Sequence, residues 1–269
     1  MWKMGINLTN PFGVGGIKPN TYVQPKQPSF GTIVTYPYDT FKSNSITKYT
    51  TPEYIKYAIA SNPQIREILK EINATGELNL QELEELKNGH CTDTQNIVVG
   101  MLEYLPFGLK QHANIKSLKD AAYLHDIGKV LIPKEILNKP SGLDKKEIAI
   151  MHKHSELGYE ILKNSDIDTR TLNLVKYHHQ NASHTGYPKV KPDFFADINL
   201  QILNVADKYS ALTEKRTYKN SYDKDTALSI IYRDVISGDV HPFVYKALYN
   251  YATQTKTPQK DLLSITQKV

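Results

Sequence analysis

"SLKDAAYLHDIGK", residues 117–129, has a helical period with polar groups aimed where apolar ones point. Residues three, four and seven apart share one face of a helix. On that spacing Leu118 and Ala121 share a face with His125, and Ala122 shares one with Asp126. The same phase recurs further along. In "EIAIMHKHSELGYEIL" (147–162), His154 lines up with Ile150, Met151, Leu157 and Ile161, while its neighbour His152 falls off the stripe. "TLNLVKYHHQ" (171–180) places Leu174 four residues before His178 and Val175 four before His179. In "NLQILNVADKYSAL" (199–212), Leu200 and Leu203 lead to Asp207. Four helices therefore aim six ionisable side chains into one interior.

Outward from these segments the chain reads as all-α. Residues 90 to about 252 are helices joined by short turns, with no alternating strand pattern. "PSGLDKKEIAIM" (140–151) shows the local signals: Pro140 and Gly142 make a turn, Asp144 can cap, and Glu147 stands at the third helical position. A helical N-terminal element over 49–88 opens at "TPEYIKYAI" and continues through "NPQIREILKEI" and "NLQELEELK". Residues 1–48, rich in Asn, Pro, Gly, Thr and Ser, read as a loosely ordered leader, and 256–269 as a polar C-terminal tail. The segment 89–255 between them is the candidate functional domain. No internal repeat is evident.

Composition narrows the class. The chain of 269 residues is 40% hydrophobic and 23% charged, and it lacks both a secretory leader pattern and an apolar run long enough to span a membrane. Its single cysteine, Cys91, cannot close an internal disulfide, so a cytoplasmic location is expected. The formal charge of +5 is interleaved with acidic residues, which favours a small anionic ligand over a nucleic-acid polymer.

Burying six ionisable groups without compensation is expensive. Divalent metal ions resolve the conflict, because neutral imidazoles donate nitrogen, carboxylates balance charge and one Asp can bridge two ions. A nitrogen-and-oxygen donor set without thiolate suits Fe, Mn, Zn or Ni. The competing reading is a set of buried histidines satisfied by hydrogen bonds alone, which fits any one of them taken singly.

"LHDIGKVLIPKEILNKP", "MHKHSELGYEIL", "YHHQNASHTGYP" and "ILNVADKYSALTEKRTYK" taken together resemble the HD-GYP family of phosphohydrolases, over about residues 90–245. The resemblance implies an HD-domain helical bundle of the HD-GYP type, with a small helical region before it. It also implies a binuclear centre of two divalent transition-metal ions, Fe or Mn first and Ni or Zn next. His90 of "NGHCTDTQ", His125, Asp126 and Asp207 would hold one ion, and Asp126 would bridge to a second held by His154, His178 and His179. His90 enters on motif order alone.

The activity implied is hydrolysis of a cyclic dinucleotide, cyclic di-GMP first, by metal-activated hydroxide attack on phosphorus. Asp126 and Lys129 would be catalytic. Lys129 would contact the scissile phosphate and help protonate the leaving oxygen, or else serve only the end of its helix. Arg216 and Lys219 match a phosphate clamp, and Gly186, Tyr187 and Pro188 match the loop that shapes the substrate pocket. A homodimer or a signalling partner would be engaged through the N-terminal region.

The sequence departs from the family pattern in places. Ala182-Ser183-His184 replaces the usual Trp-Asp-Gly, Ser210 stands where the family has Asp, and Leu86 stands where some members have a third-metal Glu, with Glu85 beside it. Two metals are expected rather than three. These changes leave open another cyclic dinucleotide or phosphate ester as substrate, and a catalytically inactive nucleotide-binding module as the alternative class.

Overall fold

The computed structural model describes residues 45–214 and 221–254. The tail 256–269, Arg216, Lys219 and all of the expected leader except residues 45–48 lie outside that range. In chain order the helices are α1 (Pro52–Ser61), α2 (Pro63–Glu71), α3 (Leu80–Asn88), α4 (His90–Tyr104), α5 (Phe107–Lys110), α6 (Ile115–Leu124), α7 (Lys134–Leu137), α8 (Lys145–Leu162), α9 (Thr169–Tyr177), α10 (Ile198–Thr213), α11 (Lys224–Ile236) and α12 (Pro242–Thr253), with 3₁₀ turns at Ile46–Thr50 and Ile127–Leu131. The described residues contain no strand, in keeping with the all-α expectation.

Most helices start where a side chain can accept the free N–H groups of a first turn. Thr51, Asn62, Asn79, Asn114, Asp144, Asp168, Asp197 and Asp223 all do so. At α8 the capping box is complete: Asp144 accepts from the N–H groups of Lys146 and Glu147, and the Glu147 side chain accepts from the Asp144 N–H. Among the long helices α4 differs. Gly89 precedes it with no side-chain cap, and its first residue is His90.

Helix α4 runs through the middle, packed against α3, α6, α10 and α12. Helix α8 packs on α9 and on the Ile127–Leu131 turn, and it also meets α1 and α2. Met101, Leu118, Leu124, Leu131, Leu157, Ile161, Ile202 and Leu203 are almost wholly buried between these elements. One hydrophobic core runs from Tyr49 to Leu248, so the first helices share it. Two hydrogen bonds fasten them to α8: Tyr54 Oη donates to the Ile161 carbonyl, and Asn62 Nδ2 donates to both the carbonyl and the carboxylate of Glu160.

Candidate metal centre

The apolar stripes carry their polar members inward. His125 directly follows α6, Asp126 precedes the Ile127–Leu131 turn, His154 lies within α8, His178 and His179 directly follow α9, and Asp207 lies on α10. His90, His125, Asp126, His154, His178 and Asp207 are buried, and the His179 side chain keeps 26% of its surface. All seven residues come together. One group of donor atoms is drawn from Asp126, His154, His178 and His179 and another from His90, His125 and Asp126, with all atoms of a group within 4.8 Å of one another. A third group is drawn from His125, His178 and Asp207, and Asp207 Oδ1 also lies 2.9 Å from His90 Nε2 and 3.6 Å from His125 Nε2.

Three of the rings are oriented by their own helix. His125 Nδ1 donates to the Ala122 carbonyl at 2.8 Å, His154 Nδ1 to Met151 at 2.7 Å and His178 Nδ1 to Val175 at 2.7 Å. A carbonyl only accepts, so Nδ1 carries a proton in all three rings, and in the neutral rings of His154 and His178 the Nε2 lone pair faces the centre. His154 Nε2 and His178 Nε2 then meet at 3.2 Å, acceptor against acceptor. That contact is repulsive unless a cation lies between them.

Asp126 divides the cluster. Its Oδ1 lies 3.3 Å from His154 Nε2 and 3.8 Å from His178 Nε2, and Oδ2 lies 3.4 Å from His125 Nε2 and 3.5 Å from His90 Nε2. Oδ1 is fully buried and has no hydrogen-bond partner. An orphaned carboxylate oxygen among imidazole lone pairs is an arrangement that divalent ions satisfy, so the residues present fit the two-metal donor set.

Electrostatics agree with neutral donors at His154, His178 and His179. Burial pushes His154 down to about 3 and His179 down to about 4, and it holds His178 well below the ordinary imidazole value with help from the neighbouring rings. These rings are neutral, as ligands must be. Burial opposes charge on His125 too, but Asp126 beside it raises that ring well above the usual value. Burial would likewise raise both carboxyls. Lys129 and His125 nevertheless hold Asp126 well below the carboxylate range, and hydrogen bonds from His125 and His90 do the same for Asp207.

Lys129 reaches back to Asp126, its ammonium donating to Oδ2 at 2.5 Å. It stands beside the donor cluster rather than only at a helix end.

Two glycines let the backbones that carry the clustered side chains approach. A Cβ on Gly128 would sit 2.0 Å from the His154 carbonyl oxygen and 2.6 Å from the Gly158 nitrogen. A Cβ on Gly186 would sit 2.0 Å from the His179 carbonyl oxygen. The Tyr187 N–H donates to that same carbonyl, and buried Gln180 closes the loop by donating to the Pro188 carbonyl at 2.7 Å. Gly186, Tyr187 and Pro188 therefore form a clamp over His179.

The departures have visible contacts. His184, exposed and at φ 58°, donates from Nε2 to the Phe194 carbonyl, and the Ser183 N–H donates to Asp239. Both tie down the loop that follows His179. Ser210 Oγ lies 3.1 Å from His90 Nδ1, so the hydroxyl orients that ring. Leu86 is core, and Glu85 is exposed and bonded by Gln81, so neither joins the cluster. Sequence reading missed Glu214, whose carboxylate lies 3.8 Å from His90 Nδ1, and Asn204, which donates to the His178 carbonyl. Both sit on or just after α10 at spacings that only the folded chain relates to His90 and His178.

The profile of the family described as HD domain matches residues 79–237, more than half of the chain. The chain belongs to the HD-domain family. Over 109 residues, 39% of its length, this HD-domain chain is 41% identical to the 3'3'-cGAMP-specific phosphodiesterase 2 of Vibrio cholerae. Over 121 residues, 44% of its length, it is 34% identical to the cyclic di-GMP phosphodiesterase response regulator RpfG of Xanthomonas campestris. It spans 20% and 32% of the lengths of these two curated relatives. Its HD fold is similar to that of Bd1817, a HDG"Y"P protein from Bdellovibrio bacteriovorus, at 16% identity and a TM-score of 0.50, covering 79% of this chain and 65% of that one. Among the described residues no helix is long and apolar enough to cross a membrane.

Proposed function

We propose that this HD-domain chain is a dimetal phosphodiesterase that opens a cyclic dinucleotide, with cyclic di-GMP the first candidate. The observation that carries the reading is the Asp126 carboxylate, with one oxygen toward His154 and His178 and the other toward His90 and His125. Bound there, two divalent ions, Fe or Mn first, would lower the pKa of a water molecule and neutralise charge on the phosphoryl oxygens. Asp126 would bridge, with His90, His125 and Asp207 on one side and His154, His178 and His179 on the other. The Lys129 ammonium, already beside the cluster, would contact the scissile phosphate and give a proton to the leaving oxygen. Arg216 and Lys219 would hold the substrate's other phosphate, while Gly186, Tyr187 and Pro188 shape the pocket wall.

A second reading, a mixed cyclic dinucleotide as substrate, is favoured by the 41% identity to a protein named as 3'3'-cGAMP-specific. A cytoplasmic location fits both readings, since buried Cys91 is free. We also place a homodimer contact or signalling partner at the N-terminal region ahead of the HD domain. Purified protein loaded with Mn²⁺ or Fe²⁺ is expected to linearise cyclic di-GMP or 3'3'-cGAMP, with chelator-treated protein and Asp126→Asn inactive. Binding without a linear product from either nucleotide would make the chain a nucleotide-binding module instead.

A further inference from the structure

Four of the five imidazoles in the cluster have a partner for Nδ1. His125, His154 and His178 use backbone carbonyls of their own helices, and His90 uses the Ser210 hydroxyl. Among the described residues His179 has no hydrogen bond at either ring nitrogen, and its Nδ1 faces a carboxylate of the cluster itself. Its nearest carboxylate, Asp207 Oδ2, is 3.9 Å from Nδ1, beyond hydrogen-bonding distance. Rings are against it instead. The Tyr187 ring covers His179 at a centroid distance of 4.5 Å and 30° between planes, and the His154 ring meets it edge-on at 5.1 Å.

Tyr187 is itself backed from α8. The His152 ring stacks on it at 3.6 Å with the planes 9° apart, which is the tightest and most nearly parallel ring contact among the described residues. His152 lies off the helix face that carries His154, and it has no part in the donor cluster. We propose that His152 is a positioning residue of the metal centre: by stacking on Tyr187 it presses that ring against His179 and fixes an imidazole that no hydrogen bond orients. The stack takes the place of the bond that normally holds the far side of a ligating histidine.

This inference rests on His179 being a metal ligand, as the proposed function has it. Its consequence is specific: loss of the His152 ring should loosen the ion that His179 holds and spare the other. An aromatic ring without ring nitrogens should restore it, since stacking and not hydrogen bonding is the agent.

The test titrates Mn²⁺ into the full chain, calorimetrically, for the parent, His152→Ala and His152→Phe, with thermal melting of each metal-free protein alongside. The expected result is two sites in the parent, a loss of about 10-fold or more at one site in His152→Ala, and recovery to within about threefold in His152→Phe. Equal weakening of both sites, or parent-like binding in His152→Ala, overturns the inference, and so does failure of a well-folded His152→Phe to recover. A parent that binds no metal overturns the dimetal reading instead. Ring-proton NMR of the metal-free protein then decides the stack alone. His179 resonances, assigned by their loss in His179→Gln, are expected at ring-current-shifted positions in the parent and His152→Phe and displaced from them in His152→Ala. Unchanged resonances in His152→Ala refute it.

Discussion

Replacing Gly128 by Ala tests whether the cluster depends on contact between two backbones. The new methyl would meet the His154 carbonyl oxygen at 2.0 Å and its carbon at 2.9 Å, with the Gly158 nitrogen at 2.6 Å. Ordinary carbon contacts lie near 3.5 Å, so the Ile127–Leu131 turn has to leave α8 by roughly 1.5 Å. No side chain can rotate away to absorb this, because the obstructing atoms are main chain. Overpacking of cores costs about 1–3 kcal/mol, and this site belongs at the upper end. For a chain of this size about 3 kcal/mol corresponds to a fall of roughly 6–12 °C in melting temperature.

The same displacement separates Asp126, two residues before Gly128, from His154 on α8, where Oδ1 and Nε2 are now 3.3 Å apart. Metal retention should therefore fall with stability. Differential scanning calorimetry with and without Mn²⁺, beside elemental analysis, measures both. Gly142→Ala, at an exposed turn with open space around the added methyl, is the control and should melt like the parent. A Gly128→Ala protein that melts within about 2 °C of the parent and keeps its full metal content would refute the reasoning.

Three further outcomes follow from the site. Lys129→Ala should lower turnover of the cyclic dinucleotide by about 100-fold or more while metal content stays at the parent value; loss of metal would make Lys129 a structural partner of Asp126. Ser210→Ala leaves His90 Nδ1 without its hydroxyl and should weaken metal binding by about 10-fold or more in a chelator competition, whereas parent-like affinity would assign the orienting role to Glu214. Chelator-treated protein should lose stability as pH falls from 6.5 towards 4, because His154 and His179, at about 3 and about 4, stay neutral while the unfolded chain takes up protons. Each ring contributes a slope of up to about 1.4 kcal/mol per pH unit. His125, whose value is raised, has its proton above this window, and the depressed Asp126 and Asp207 add a loss of the same sign only at its acid end, as the unfolded chain protonates near the ordinary carboxyl value of 3.8. Urea midpoints that do not change between about pH 6.5 and 4.5 would count against neutral buried rings.

The inward direction of six of the seven clustered side chains was legible because a helix converts spacing into direction: Leu118 and Ala121 point where His125 points, and Leu203 where Asp207 points. His90 was not legible in that way. It is the first residue of α4, and the break at Gly89 separates it from the face of α3, so only its place in the motif order marked it. Ser210 and Glu214 reach His90 from more than 100 residues away in sequence, and no local pattern encodes that meeting. The requirement for Gly128 and Gly186 was similarly hidden. A Gly before Tyr-Pro reads as a turn, and the carbonyl that excludes a side chain there appears only once α9 and the loop are docked.

The bonds from His125, His154 and His178 to carbonyls three residues back along the chain have a bearing on how the protein assembles. Partners so near in sequence meet as soon as a helical turn forms, without waiting for distant segments to arrive. Three rings can therefore take their binding rotamer and tautomer while α6, α8 and α9 are still separate. Capture of ions by the proposed centre would not then bear the entropy of ordering those side chains. His90 and His179, which depend on Ser210 and on the His152–Tyr187 stack, should be the last to lock, and the first to let go when the packing loosens.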